Sequence, residues 1–91
     1  MEYQYPMDYT WSTDEIVDVI KFFESVEKAY ESRVSKEDFM KTYRRFKEIV
    51  PGKADEKNYT DEFQVSSGYS AYLVLKRAKE IEDGGWITLK K

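Results

Sequence analysis

The first eleven residues of the chain alternate between apolar and polar side chains. The apolar or aromatic positions of this stretch are Tyr3, Tyr5, Met7, Tyr9 and Trp11. A period of two places successive side chains on opposite sides of an extended chain. Pro6 has no backbone N–H, so the segment is not a central strand of a sheet. We therefore predict an extended aromatic arm over residues 1–11 that lies across the rest of the protein; a strand offered to a partner is the alternative.

A helical period begins directly after the arm. Ser12 stands three residues before Glu15, the spacing of a capping box. Trp11 and Ile16 occupy the positions of a hydrophobic staple across this start. Apolar residues then recur at steps of three and four, at Ile16, Val19, Ile20, Phe23, Val26 and Tyr30. The spacing predicts a first helix over about residues 13–31 with one buried face.

The same start signal occurs again at Ser35, with Asp38 three residues later. The apolar stripe of this second helix consists of Phe39, Tyr43, Phe46 and Val50, flanked by Met40 and Ile49. Pro51-Gly52 ends the helix, because proline cannot continue it and disfavours helical geometry in the residue before. The short connection around residues 32–33 predicts that the first two helices pack as an antiparallel pair.

Two further helices are predicted in the second half of the chain. Residues 53–67 show no strand alternation, and Gly68 suits the position just past a helix end. Ser70 can cap a last helix that runs to about Glu82. Its predicted inward positions are Ala71, Tyr72, Val74, Leu75, Ala78 and Ile81. For the tail at residues 84–91 three outcomes stay open: a short strand, packing on the helices, or disorder.

Together these elements predict an all-α fold, a small bundle of three to four short helices with an extended aromatic N-terminal arm. A length of 91 residues fits a single helical domain over residues 1–91. A hydrophobic content of 41% supplies enough apolar surface to offset the loss of chain entropy on folding.

Histidine and cysteine are both absent from the sequence. No side chain therefore has an unperturbed pKa near neutrality, and no thiolate can act as a nucleophile or soft metal ligand. No phosphate-binding glycine loop or nucleophile elbow occurs. We predict that the protein is not an enzyme and holds no cofactor or metal. An enzyme acting through carboxylates would need an enclosed polar pocket that contains an acid with a perturbed pKa.

The sequence also has no segment suited to a membrane. No apolar run approaches the roughly 20 residues of a membrane span, and the N-terminus has no basic and apolar signal segment. The absence of cysteine fits a reducing compartment. We predict a cytoplasmic protein with no membrane partner.

Four runs and three later positions form a recognisable set. They are Tyr5-Pro6-Met7-Asp8, Trp11-Ser12-Thr13-Asp14-Glu15-Ile16, Tyr43-Arg44-Arg45-Phe46-Lys47-Glu48-Ile49-Val50-Pro51 and Ser67-Gly68-Tyr69-Ser70, followed by Lys76, Ala78 and Lys79. This set resembles the YktA-like family of small uncharacterised Firmicutes proteins. The similarity covers nearly all of residues 2–82, and the tail after Asp83 is not part of it. The resemblance implies a small helical fold in a bacterial cytoplasm, and it implies no activity, cofactor or catalytic residue.

Charge is distributed unevenly along the chain, whose net charge is −3. Residues 1–31 carry eight acids and two bases, whereas residues 32–53 carry seven bases and three acids. The favoured interpretation is that neighbouring helices carry opposite charge and attract each other. A basic surface for an acidic partner is the alternative.

The second helix contains a basic run formed by Lys41, Arg44, Arg45 and Lys47. On a helical wheel these cations spread over about 160°, with Glu37 and Glu48 in the middle of the arc. Central carboxylates are unfavourable for a phosphate-binding face, and nucleic-acid-binding domains are usually basic overall. We therefore interpret the run as an ion-paired, solvated surface; a nucleic-acid accessory role and an acidic protein partner are the alternatives.

Val17, Phe22 and Leu73 are apolar residues that lie outside the predicted buried faces. Burial under the arm or a neighbouring helix is the favoured interpretation, whereas one contiguous exposed patch would mark an interface. The candidate interaction surface predicted from the sequence comprises Lys41, Arg44, Arg45, Lys47, Phe22 and Leu73. The predicted function is that of a non-catalytic interaction or regulatory protein, which binds an unknown protein or a second copy of itself; nucleic-acid binding is the alternative.

Overall fold

Four helices and one pair of short strands make up the fold in a computed structural model that describes residues 5–90. In chain order the elements are α1 (Thr13–Glu31), β1 (Val34–Ser35), α2 (Lys36–Ile49), α3 (Lys53–Ser67), α4 (Ala71–Glu80) and β2 (Trp86–Ile87). The predicted all-α class is confirmed. Residues 1–4, which begin the predicted arm and include Tyr3, lie outside the described residues, as does Lys91.

Local capping explains where the helices begin and end. The Ser12 hydroxyl accepts a hydrogen bond from the Glu15 N–H at 3.2 Å, and the Glu15 carboxylate accepts one from the Ser12 N–H at 2.8 Å. This is the predicted capping box. Gly68 follows α3 with a left-handed φ of 81°, which glycine adopts without steric cost. α4 ends at Glu80, two residues before its predicted end.

A cluster of phenylalanines between α1 and α2 forms the centre of the core. Phe22 stacks on Phe46 with ring centroids 4.5 Å apart. It also contacts Phe23 and Phe39, with centroids 5.1 and 5.7 Å away. Phe22 is only 1% exposed, so its assignment to the interaction surface is wrong. The cause is burial by a neighbouring helix: α2 covers Phe22 while Phe63 of α3 contacts Phe23, so α1 is buried over more than one stripe.

Two aromatic residues attach the arm to the helices. Tyr5 stacks on Phe63 of α3 with ring centroids 5.8 Å apart. Its hydroxyl donates a hydrogen bond to the Glu27 carboxylate of α1. Trp11 contacts the ring of Tyr59 with centroids 5.2 Å apart. The described part of the arm therefore lies across α1 and α3, as predicted.

The prediction that the alternating apolar residues of the arm share one buried face is wrong. Pro6 is buried, whereas Met7 is 60% exposed and Tyr9 is fully exposed. Tyr9 lies in a turn, in which the Asp8 carbonyl accepts a hydrogen bond from the Trp11 N–H at 3.1 Å. A turn ends the period-two arrangement, because the chain no longer runs straight across the helices.

The tail pairs with the connection between α1 and α2. β2 runs antiparallel to β1, with Val34 opposite Ile87 and Ser35 opposite Trp86. Ile87 is completely buried. The Arg33 guanidinium lies over the Trp86 ring, 4.2 Å from its centroid. Of the three outcomes left open, this part of the tail forms a short strand that packs on the helices.

Candidate interaction surface

The basic run of α2 is divided between two sides of the helix. Arg45 Nε donates to Asp18 Oδ2 of α1 at 2.9 Å, and Arg45 Nη1 lies 3.6 Å from Glu48 Oε1. The hydrogen bond to Asp18 raises the pKa of Arg45. Lys47 faces α3 instead, with its Nζ 2.7 Å from Glu56 Oε1. These two cations are ion-paired, as the favoured interpretation predicts, and Arg45 joins the basic second helix to the acidic first one.

Lys41 and Arg44 are the exposed members of the run. Within the part of the chain that the structure describes, neither forms an ion pair with a carboxylate within 4.0 Å. Lys41 borders a groove between α1 and α2, and Arg44 does not. With Arg45 and Lys47 neutralised by carboxylates, the run does not form the continuous positive face that a phosphate backbone favours.

The groove between α1 and α2 is open and has a volume of about 750 Å³. Its lining mixes both signs of charge and consists of Asp18, Lys21, Glu24, Ser25, Glu27, Lys28, Glu31, Val34, Asp38, Lys41, Thr42 and Arg45. The hydroxyl oxygens of Ser25 and Thr42 lie 3.1 Å apart across it. Because five acids and four bases share this lining, the groove favours neither an anionic nor a cationic ligand.

Glu27 is the acid in this groove whose pKa is raised. Burial is the main cause, against the opposing effect of the hydrogen bond from Tyr5, and the charges of Glu31 and Glu24 add to the rise. Burial also raises the pKa of the Tyr5 hydroxyl, which therefore stays protonated as the donor. An enzyme acting through carboxylates would need such an acid in an enclosed pocket. Here the groove is open, and the Glu27 carboxylate already accepts a hydrogen bond from the Tyr5 hydroxyl.

The Glu27→Gln variant is expected to gain stability relative to the wild type as the pH rises. The folded-state pKa of Glu27 lies above that of an exposed glutamate, so the folded protein binds this proton more tightly than the unfolded chain. The contribution of Glu27 to the free energy of unfolding therefore falls as the pH rises from the pKa of the unfolded chain through the higher pKa of the folded protein. Glutamine does not titrate, so the variant does not show this fall. Urea unfolding at about pH 4 and about pH 7 measures the difference.

The matched control is Glu62→Gln, which neutralises an exposed carboxylate of α3. Its stability relative to the wild type should be nearly the same at both pH values. If Glu27→Gln instead loses stability relative to the wild type between the lower and the higher pH, the carboxylate is stabilised by its charge and burial is not its dominant influence.

A second concavity, the α3–α4 cleft, has a volume of about 480 Å³. Its apolar or aromatic lining consists of Phe22, Tyr43, Ala71, Tyr72 and Leu75. Its polar lining consists of Lys53, Glu56, Lys57, Thr60, Asp61, Gln64 and Ser70. The apolar lining of the cleft therefore comes from α1, α2 and α4, and α3 provides most of its polar lining.

Several polar side chains of the α3–α4 cleft already have partners within the chain. Glu56 accepts hydrogen bonds from the Tyr43 hydroxyl at 3.1 Å and from Lys47 Nζ at 2.7 Å. Lys57 Nζ lies 2.7 Å from Asp61 Oδ2. Burial and the neighbouring Glu56 carboxylate raise the pKa of Tyr43 to about 12. At neutral pH this phenol is therefore a hydrogen-bond donor and not a base.

Two large side chains of α4 point away from the core. Tyr72 is 68% exposed and Leu73 is 48% exposed. Leu73 lies outside the buried face, but the inward position predicted for Tyr72 is wrong. α4 buries Ala71, Val74 and Ala78, and Tyr72 lies about 160° around the helix from Val74.

Lysines lie beside this pair of exposed side chains. Lys76 comes four residues after Tyr72 and three after Leu73, so it is a neighbour of both on the helix surface. Lys79 follows Tyr72 by seven residues, on the same side. Among the residues that the structure describes, neither lysine forms an ion pair. We call the four residues Tyr72, Leu73, Lys76 and Lys79 the α4 face.

Two other kinds of site are absent from the described residues. Between residues 5 and 90, no group of three or more acidic side chains is arranged to hold a metal ion. No helix in this part of the chain is both long and apolar enough to cross a membrane. The α4 face and the α3–α4 cleft, which share Tyr72, are the candidate site.

The fold and its surface can be placed in a family. The model of an uncharacterised protein family, UPF0223, matches residues 2–87. The chain belongs to UPF0223. The match runs from the arm through β2, so the UPF0223 pattern extends further into the tail than the resemblance over residues 2–82 indicates.

UPF0223 proteins of several Firmicutes are similar to this chain over most of its length. One from Bacillus mycoides is 59% identical over 83 residues, covering 91% of this chain and 93% of the relative. One from Oceanobacillus iheyensis is 55% identical, with 91% and 94% covered. The UPF0223 protein YktA of Bacillus subtilis is 58% identical over 80 residues, covering 88% and 91%. The resemblance to the YktA-like family is confirmed, and the name UPF0223 assigns no activity.

Proposed function

We propose that this protein is a non-catalytic interaction protein of the bacterial cytoplasm, which binds a protein partner through the α4 face and the α3–α4 cleft. The observation that carries the proposal is the exposure of Tyr72 beside Leu73, with Tyr72 also lining the cleft. Single exposed apolar residues are common on proteins, but an exposed aromatic side chain that also lines a cleft is typical of contact sites. Tyrosine is also enriched among the residues that dominate binding energy at interfaces.

The chemistry of the two concavities supports a role without catalysis. The Glu27 carboxylate accepts a hydrogen bond from Tyr5, and the Glu56 carboxylate accepts hydrogen bonds from Tyr43 and Lys47. A general acid or base must instead be free to reach a proton on a substrate. With no histidine or cysteine in the sequence, few other side chains could take that role.

Nucleic-acid binding through α2 has less support than protein binding. Arg45 and Lys47 each hold a carboxylate, which leaves Lys41 and Arg44 as exposed cations without an ion pair among the described residues. A nucleic-acid protein would bind RNA or DNA with an affinity that falls linearly in the logarithm of salt concentration. Loss of such binding in a Lys41→Glu/Arg44→Glu variant would favour this alternative over the proposal.

Photo-crosslinking tests the proposal in living Bacillus subtilis cells that express this chain in place of their own UPF0223 protein YktA, which is 58% identical to it. A photo-reactive phenylalanine analogue in place of Tyr72 is expected to form covalent adducts with a protein partner, because the side chain at this position would lie in the contact. The matched control places the same analogue at Val65, which is 89% exposed on α3 and does not line the cleft. Adducts from both positions alike, or from neither, would contradict the proposed surface.

A further inference from the structure

We infer that the segment bound at the α4 face is acidic and inserts an aromatic or large aliphatic side chain into the α3–α4 cleft. This inference rests on the proposed function and deepens it by naming the chemistry of the partner. Three features carry it: the composition of the cleft, the pairing of the polar groups in it, and the charges around it.

The α3–α4 cleft suits one large apolar side chain. Its volume of about 480 Å³ falls within the range of roughly 300–1,000 Å³ that is typical of ligand sites. Phe22 is only 1% exposed, so the rings that a ligand can reach are those of Tyr43 and Tyr72, and Leu75 adds apolar surface. An entering aromatic ring can make stacked or edge contacts with these rings. Buried aromatic anchors of this kind dominate the energy of many protein interfaces.

The polar groups of the cleft favour an apolar anchor over a polar one. Glu56 is bonded to side chains of α2, and Lys57 is paired with Asp61. The Thr60 hydroxyl donates to the Glu56 carbonyl at 2.9 Å, and the Ser70 hydroxyl caps the start of α4. A polar ligand would have to compete with these hydrogen bonds, whereas an apolar side chain leaves them intact.

The charges around the cleft favour an acidic segment. Lys53 lines the cleft, and Lys76 and Lys79 belong to the α4 face. Within residues 5–90 none of these three lysines forms an ion pair. The charges that line the cleft cancel, with two lysines against two acids, so the two lysines of the α4 face leave a local excess of positive charge on a chain of net charge −3. Carboxylates of a partner are attracted to this region, while much of the remaining surface repels them.

An acidic protein segment fits this region better than a nucleic acid does. Phosphate backbones bind through many contacts along an extended cationic track. Three lysines on an acidic protein do not provide such a track. A segment held by one apolar anchor needs only a few complementary charges at the rim of the contact.

Selection from a library of short random peptides, with the full chain as bait, tests the inference. We expect the enriched peptides to be acidic and to share one aromatic or leucine position. The strongest of them should bind Tyr72→Ala about tenfold more weakly, because this change removes the ring beside the cleft. The Lys53→Glu/Lys76→Glu variant should bind about threefold to tenfold more weakly, since each rim charge contributes little alone.

Val65→Ala and Lys21→Glu are the matched controls, because both residues are exposed and lie outside the α4 face and the cleft. Both should bind the selected peptide as tightly as the wild-type chain, and circular dichroism verifies that every variant is folded. Enrichment of basic peptides, absence of any enrichment, or an equal loss in the controls overturns the inference. Displacement of the peptide by single-stranded RNA overturns it as well.

The cellular experiment separates failure of this inference from failure of the proposed function. If position 72 captures a separate protein while the selected peptides are basic, the proposed function stands and the acidic partner is wrong. If the adducts join two copies of this chain, for example through its exposed Tyr9, the partner is the chain itself and the inference is overturned. If position 72 gives no adducts in cells, the proposed function is wrong whatever the peptides contain.

Discussion

The Phe22→Ala variant is expected to lose about 3–5 kcal/mol of unfolding free energy. The ring is almost completely buried and contacts four other aromatic rings, those of Phe23, Phe39, Tyr43 and Phe46. Its removal costs the transfer free energy of the ring and leaves a cavity that the helices fill only in part. A domain of this length has a total stability of about 5–14 kcal/mol, so the loss is a large share of what holds it folded.

Equilibrium unfolding in urea, followed by far-UV circular dichroism, measures this loss. The control is Leu73→Ala, which shortens an exposed side chain of the α4 face and should change stability by no more than about 0.5 kcal/mol. If the alanine variant at position 22 does not fold, Phe22→Leu keeps most of the volume and should fall between it and the wild type. Equal stability of the Phe22 and Leu73 variants would contradict the placement of Phe22 in the core.

The helix boundaries are the part of the fold that the sequence predicts best. The capping pair of Ser12 and Glu15 and the glycine at position 68 act within four residues of the helix ends that they define. Ser35 and Ser70 likewise accept hydrogen bonds from backbone N–H groups three residues on. Interactions this local depend little on the rest of the fold, which is why spacing alone identifies them.

The side of each helix that becomes buried is harder to predict, because it depends on distant elements. Phe22 lies off the stripe of α1 and is nevertheless buried, because α2 covers that side. Tyr72 is one of the positions of α4 predicted to face inward and is nevertheless exposed. α4 instead buries the arc formed by Ala71, Val74 and Ala78, and Tyr72 lies on nearly the opposite side of the helix from Val74.

The arm and the tail show the same dependence on distant contacts. Asp8 turns the chain and leaves Tyr9 in solvent, so an alternating pattern does not produce one buried face. β1 and β2 pair across half the length of the chain, Val34 with Ile87, and each strand has only two residues. Strands this short carry no alternation that a sequence pattern could reveal.

The candidate site is the part that the sequence predicts least well. The basic run is contiguous in sequence, but Arg45 pairs with Asp18 on α1 and Lys47 pairs with Glu56 on α3. The partners that divide the run lie 27 and 9 residues away, so no local spacing reveals them. The spacing of four residues between Tyr72 and Lys76 places them side by side on α4. This pair indicates a contact surface only because that side of α4 is exposed, which the sequence does not reveal.

The Phe63→Ala variant is expected to detach α3 from the rest of the protein and to lower the free energy of unfolding by about 3–5 kcal/mol. α3 buries only Phe63 and Ser67, so this one ring provides a large share of the apolar attachment of the helix. The Phe63 ring lies 4.6 Å from that of Phe23 and 5.8 Å from that of Tyr5, measured between centroids. Its loss therefore weakens the contacts of α3 with both α1 and the arm.

The remaining attachments of α3 lie nearer the surface. Glu56 pairs with Lys47 of α2, and Tyr59 contacts the partly buried ring of Trp11 and donates through its hydroxyl to the Asp8 carboxylate at 3.1 Å. Partly exposed polar contacts of this kind contribute little on their own. Amide hydrogens of α3 in Phe63→Ala should therefore exchange through local opening, well before those of α1. Hydrogen-exchange mass spectrometry measures this order.

Val65→Ala is the matched control, because it changes the same helix two residues further on at a side chain that solvent surrounds. Its stability should change by no more than about 0.5 kcal/mol, with alanine slightly favoured by its higher helix propensity. If the α3 amides of Phe63→Ala exchange no faster than those of α1, contacts other than the Phe63 ring hold α3 in place. α3 forms one wall of the α3–α4 cleft, so its detachment in Phe63→Ala should also abolish peptide binding. Val65→Ala leaves α3 in place and should bind the peptide normally. The packing of the Phe63 ring therefore determines whether the binding surface is intact.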